Sequence, residues 1–249
     1  NPKLVNSNRY ITLLGDGSLG GKGRGLAFLS NFIENVYLKK LIPDLHVAIP
    51  KTAVIGMNEF DNFLENNNLY DVIFEDKEYN HVLEAFRTAR LSEQLRNNLR
   101  KYLQVMTKPL AVRSSGLFED SLNQPFAGVY STYLLPNNHP DIERRLEDVE
   151  NAIKLVFASI YSPESRAYFN AIDYMIEEEK MAVIIQEVIG NEHNGRYYPE
   201  ISGVAQSYNF YPFSYIQPED GFAVTAIGLG PTSLGKRHTV SVLPIPNYN

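Results

Sequence analysis

Apolar positions along the chain change their spacing several times, and each change predicts an element. Tyr10-Ile11-Thr12-Leu13-Leu14 is a β-rich run that stops at a glycine cluster. Beyond the cluster Leu26, Leu29, Phe32, Ile33, Val36 and Tyr37 recur at helical spacing, and Pro43 follows that helix. Val47 to Ile55 reads as a strand interrupted by Pro50, and Asn58 as the cap of a short helix carrying Phe60, Phe63 and Leu64. The stretch from Tyr79 to Met106 predicts two helices, the second capped by Ser92, before Pro109 stops the pattern. Leu110-Ala111-Val112 then begins a strand.

The second half opens with a loop rich in Ser, Gly and Asp, Ser114 to Gly128, followed by a short strand from Val129 to Leu135. Ile142, Leu146, Val149, Ile153, Val156, Phe157 and Ile160 form the stripe of a core-facing helix. Met181 to Ile189 is an apolar β-branched run, and Asn194-Gly195 is a strong hairpin signal. Ile201 to Tyr208 and Phe222 to Ile227 complete a mainly antiparallel set. Because helices and strands mix without strict alternation, the expected class is α+β. The break at Pro109 sets a subdomain boundary, giving an N-terminal α/β part, 1–108, and a C-terminal part, 109–249.

Composition narrows the function classes. Of 249 residues, 44% are hydrophobic and 21% charged, the profile of a globular chain rather than a disordered one or a coiled coil. No apolar run approaches the ~18 residues of a membrane span. A net charge of −6 argues against a nucleic-acid binder, whose footprint is a basic face. Cysteine is absent, which excludes disulfides, thiolate metal sites and cysteine nucleophiles. With no signal peptide in view, the expectation is a soluble, cytoplasmic protein.

Two segments carry candidate chemistry. The first runs from Gly15 to Gly25, with Lys22 and Arg24 set among glycines between a strand and a helix. Backbone N–H groups at a glycine-rich helix start are unpaired donors at the positive end of the dipole, suited to phosphate. Gly15, Gly17 and Gly20 satisfy the spacing G-x-G-x-x-G, but the acid expected about 20 residues on at the end of a second strand is missing, since Glu34 lies mid-helix. The Walker A pattern fails because Asp16 stands where its first Gly belongs. A ligand-free glycine turn is the plain alternative, made less attractive by two cations that would repel without an anion between them. The second segment is Val112-Arg113-Ser114-Ser115-Gly116-Leu117-Phe118-Glu119-Asp120, followed by Phe126-Ala127-Gly128 and Thr132. An Arg delivered by a strand end offers a fork of donors to phosphate oxygens. Glu119 and Asp120 could orient Arg113 or help hold Mg2+; the alternative is a surface ion pair contributing under about 1 kcal/mol.

Together these segments resemble a known family. Gly20-Gly21-Lys22-Gly23-Arg24-Gly25-Leu26-Ala27 resembles the pattern GGKGxxLxxL, and Val112 to Gly128 the pattern VRSSxxxEDxxxxxFAG. Both belong to the N-terminal nucleotide-binding domain of phosphoenolpyruvate synthase (pyruvate, water dikinase) and pyruvate, phosphate dikinase. Ile49-Pro50, Ile185-Gln186-Glu187-Val188, Ser202-Gly203-Val204 and Gly228-Leu229-Gly230 match further family segments. The resemblance implies an ATP-grasp-like fold, two lobes of mixed and antiparallel sheet with flanking helices, closing on ATP with Mg2+. It implies that Lys22 and Arg113 act on the ATP phosphates as the catalytic cations, beside Gly20, Gly21 and Ser114. It further implies that Gln186, Glu187 and Val188 line the adenine pocket and that Ser202 and Gly203 lie close to the nucleotide. The phosphoryl group would pass to a histidine on a swivelling domain and then to pyruvate on a barrel domain, neither of which these residues contain.

The chain departs from the pattern at Pro231, where an acid is expected, and lacks the later segments that supply metal ligands, so the C-terminal part is expected to be truncated. Two alternatives to the enzyme module stand beside it: a nucleotide-sensing module that has lost catalysis, and a dikinase acting on another acceptor. Elsewhere plain readings suffice. The aromatics between Tyr197 and Tyr215 read as strand and core packing, and the five histidines show no zinc spacing. Glu177-Glu178-Glu179 reads as a solvated turn, and Arg144 and Arg145 as the polar side of the long helix.

Overall fold

The computed structural model describes residues 10–35, 43–74, 78–117, 129–228 and 241–243. By contact the chain groups into two units, Asn1–Val188 and Ile189–Asn249. The boundary expected at 108/109 falls inside the first unit. Strand β3 (Leu110–Gly116), which starts there, is hydrogen-bonded on both sides within a sheet that also holds β1 (Ile11–Leu13) and β2 (Thr52–Ile55).

That sheet has the order β1–β2–β5–β3–β4, with β4 at Thr132–Leu135 and β5 at Met181–Glu187. β1 and β2 run parallel and the remaining neighbours antiparallel, so the sheet is mixed. Helices flank it, and the class is α+β as expected. Ala53 and Ile55, Leu110 and Val112, and Met181, Val183 and Ile185 share one face by strand alternation and form part of the core. Against this core lie α2 (Met57–Asn66), α3 (Tyr70–Phe74), α4 (Tyr79–Thr88), α5 (Glu93–Val105), α6 (Ile142–Ala158) and α7 (Pro163–Ala171). Its centre is aromatic: Phe157 meets Phe60 edge-on at 5.1 Å between ring centroids, and Phe63 lies 5.5 Å from Phe86.

Several local expectations hold. Ser92 caps α5, its hydroxyl accepting from Leu95 N at 3.1 Å. The long apolar stripe is α6, with Leu146, Val149, Ile153, Val156 and Phe157 buried. Asn194 and Gly195 both take positive φ, 52° and 76°, in the turn joining β6 (Asn191–His193) to β7 (Arg196–Tyr198). In this second unit β8 (Ile201–Gln206) pairs with β9 (Phe222–Ile227), which pairs with β10 (Ser241–Leu243), all antiparallel.

Other expectations are corrected. The cap of α2 is Gly56, where a Cβ would overlap Asp16 O, so Asn58 sits in the first turn instead. Helix α1 (Gly20–Asn35) begins inside the glycine cluster, and Leu29 and Phe32 of its apolar stripe are exposed, as is Phe28, whose ring lies against that of Phe32. Glu179 is buried, its Oε1 accepting from Leu117 N at 3.1 Å and from the Tyr130 hydroxyl at 3.0 Å, because the turn folds under the end of β3. Arg145 is buried as well, donating from Nη1 to Leu103 O, Met106 O and Asn137 Oδ1. Tyr197 and Tyr198 lie on β7, but Tyr208, Phe210, Tyr211, Phe213 and Tyr215 are exposed and outside any strand, Tyr211 at 89%. Among the described residues no helix is long and apolar enough to cross a membrane.

Candidate functional site

The face of the large sheet opposite the core carries the polar row. Gln186 pairs directly with Thr52 on one side and Ala111 on the other, while Arg113 pairs with Ile184 and Thr132. Direct partners share a face, as do residues two apart on one strand, so Thr52, Gln186, Arg113 and Thr132 lie together. Ser115 continues the row beneath the first turn of α1, where Val54, Ile184 and Ala182 are buried.

Arg113 is half-buried and held through a relay. Its Nη1 donates to Gln186 Oε1 at 3.5 Å, Gln186 Nε2 donates to Thr52 Oγ1 at 3.1 Å, and Thr52 Oγ1 donates to Pro50 O at 2.8 Å. A hydroxyl has one proton. Thr52 spends it on Pro50, leaving only a lone pair for the Gln186 amide, so the amide turns its NH2 toward Thr52 and its oxygen toward Arg113.

The glycine cluster reaches the same strand. Gly20 adopts φ +70°, and a Cβ there would overlap Ser115 O. Only glycine lets the start of α1 come this close to β3. Ser115 Oγ donates to Leu19 O at 2.7 Å and accepts from Gly23 N at 3.0 Å. Lys22, in the first turn, extends its ammonium to Ser114 O at 3.4 Å, next to Arg113 in the chain. Residues two apart on a helix point ~200° apart. Arg24 accordingly faces away from Lys22 and is exposed, so the two do not flank one anion as the sequence argument supposed.

Among the residues singled out, Gly20, Gly21, Lys22, Arg113 and Gln186 gather at the meeting of α1 with this sheet face. Ser114 is there by its carbonyl; its buried hydroxyl belongs to the opposite face, since it pairs with the core residue Val183. Glu187 also faces the other way, its carboxylate 2.6 Å from Lys108 Nζ. The Glu187 amide donates to Lys51 O and the Val188 amide to Pro109 O, both at 2.9 Å, so the end of β5 is tied into its neighbours by its N–H groups. Ser202 and Gly203 belong to the second unit: Ser202 Oγ donates to Gly228 O at 2.7 Å, and a Cβ at Gly203 would overlap Val224 O. Glu119, Asp120, Phe126 to Gly128, and Leu229 to Pro231 lie outside the described residues.

Thr52 is the member of the site that no motif marked, and Ser115 stood in the Arg-Ser-Ser segment without being told apart from Ser114. Strand alternation alone pointed to Ser115, because a residue two beyond Arg113 must share its face whereas Ser114 cannot. Thr52 carried no such signal, since its pairing with Gln186 spans 134 positions. Among the described residues no group of three or more His, Asp or Glu side chains could hold a metal ion.

Comparison with known proteins follows this geometry. Residues 16–237 match the family described as pyruvate phosphate dikinase, AMP/ATP-binding domain. The chain is also 26% identical over 149 residues to an uncharacterized phosphotransferase, YvkC, from Bacillus subtilis (strain 168). That overlap takes in 60% of this chain and 17% of the relative, so the chain spans under a fifth of that protein's length. Since the match runs over most of the sequence and contains both the glycine cluster and the Arg-Ser-Ser strand, this chain belongs to the pyruvate phosphate dikinase AMP/ATP-binding domain family.

Proposed function

We propose that this chain binds Mg-ATP on the polar face of its large sheet, as the ATP-binding domain of a phosphoenolpyruvate synthase-like (pyruvate, water dikinase) phosphotransferase of ATP-grasp-like fold. The observation that carries the reading is the convergence of Lys22, Arg113 and the glycine start of α1 on β3. Phosphoryl transfer needs positioning and charge neutralisation more than covalent help from the protein. The N–H groups at the start of α1 suit phosphate oxygens, and glycine at position 20, where a Cβ would overlap Ser115 O, lets that start lie directly against β3 beside Arg113. Lys22 would neutralise one phosphate and Arg113, oriented by Gln186, would bridge oxygens of another. Mg2+ is read as arriving on the triphosphate, where it would offset the charge of the phosphate oxygens. The phosphoryl group would go to a histidine on another domain of a longer protein and from there to pyruvate.

Titration with Mg-ATP tests the binding step. Saturable heat is expected from the wild-type chain, and Arg113→Ala and Lys22→Ala should each bind about tenfold to about a hundredfold more weakly, since a hydrogen bond to a charged group contributes about 1.5–3 kcal/mol. No binding by folded wild-type chain would overturn the reading. In the full-length gene product, AMP and phosphate from ATP and pyruvate would support the dikinase step. Pro231, in the position of an expected acid, favours a second reading as a nucleotide-sensing module, which ATP binding without turnover by the full-length protein would support.

A further inference from the structure

Helix α1 starts with an unusual first bond. An α-helical hydrogen bond joins residues four apart, so the first one here would link Leu19 O with Gly23 N. The Ser115 hydroxyl bridges this pair, accepting from Gly23 N at 3.0 Å and donating to Leu19 O at 2.7 Å. Its single proton and an acceptor lone pair are both committed, and the residue is fully buried. Ser115 lies on β3 two residues after Arg113 and shares its sheet face, while Ser114 O between them receives the Lys22 ammonium. Three successive positions of one strand therefore hold the arginine, the lysine and the first turn of the helix.

We propose that Ser115 is a positioning residue of the nucleotide site, a latch that sets the first turn of α1, with Lys22 and the amide of Gly21, in register with Arg113. This role rests on the ATP reading above. The amide of Gly21 belongs to the first helical turn, whose amides lie outside the i to i−4 ladder, and the latch holds that turn without using this amide as its donor. Removing the hydroxyl frees that turn to shift against Arg113, and a shift of this kind penalises ligands bearing phosphates. The nucleoside is untouched by it.

The test compares Mg-ATP with adenosine on Ser115→Ala, Ser115→Thr and Ser115→Val, the last two differing by a hydroxyl against a methyl. Ser115→Ala and Ser115→Val are expected to bind Mg-ATP about tenfold more weakly with adenosine unchanged, and Ser115→Thr to recover most of the loss. Wild-type Mg-ATP affinity in Ser115→Ala overturns the role, as does an equal loss of ATP and adenosine, which marks general structural damage. Should the alanine and valine variants fail to fold, Ser115→Cys decides, since a thiol is a weaker donor and acceptor of similar size: Mg-ATP bound more weakly with adenosine unchanged supports the latch, and wild-type affinity overturns it. Absence of Mg-ATP binding by the wild type would sink the nucleotide reading and this role with it, whereas normal wild-type binding that Ser115→Ala leaves intact would sink the Ser115 role alone.

Discussion

Thr52 carries no charge, yet its hydroxyl decides which end of the Gln186 amide meets Arg113. Thr52→Val keeps the shape and removes the acceptor, so the Gln186 NH2, itself half-buried, loses its partner on Thr52, which is 2% exposed. A typical hydrogen bond contributes about 0.5–1.5 kcal/mol, a loss that a urea midpoint would register. Mg-ATP affinity should fall severalfold as Arg113 loosens; a loss as large as that of Arg113→Ala would mean that Thr52 meets the nucleotide directly. The residue types at this site were visible in the sequence, because a Lys among glycines and an Arg at a strand end are local patterns. Their division of labour was less visible. Ser114 and Ser115 are chemically identical neighbours, and the pleat sends one hydroxyl to the core and the other to α1.

At the level of elements, most starts and stops were legible because short-range chemistry sets them. Ser92 caps α5 with its own hydroxyl, and Asn194-Gly195 turns a hairpin because both residues tolerate positive φ. The exceptions are ends satisfied from a distance. The carbonyls that close α5 are met by Arg145, from α6, together with Asn137: Arg145 Nη1 reaches Leu103 O at 3.1 Å and Met106 O at 3.2 Å, and Asn137 Nδ2 reaches Met106 O at 2.9 Å. On a helical wheel Arg145 falls on the apolar side of α6, three residues after Ile142 and four before Val149, so its spacing already pointed to the core and only its charge had set it with the polar face. Arg145→Ala breaks a buried polar network and is expected to destabilise the chain by about 2–4 kcal/mol, against nearly nothing for exposed Arg144→Ala. Equal denaturation midpoints for the two variants would contradict this. Glu179 follows the same logic, a carboxylate in an acidic run drawn under β3 by the amide of Leu117 and the Tyr130 hydroxyl.

Across the whole molecule, buried phenols tie stability to alkaline pH. Burial pushes Tyr79 up to about 12, and burial likewise raises Tyr102 and Tyr161 above the ordinary tyrosine value. The folded state thus favours the neutral phenol, while the unfolded chain ionises near pH ~10. The stabilisation is complete below that pH and is lost as pH climbs through the folded values, because there the native state binds more protons than the unfolded one. Thermal midpoints should fall steeply above about pH 10, with phenolate absorbance appearing together with unfolding; a flat profile to pH ~11.5 would contradict it. At this scale the sequence by itself determined the α+β class and the family, since periodicity, glycine placement and motif spacing are local properties that survive without coordinates. Only the tertiary structure decided the partition at Val188, the exposure of the aromatics from Tyr208 to Tyr215, and the meeting of Thr52, Ser115 and Gln186 around Lys22 and Arg113. The physical reason is that strand order and register bring together residues more than a hundred positions apart, and no local pattern encodes which strand will lie beside which.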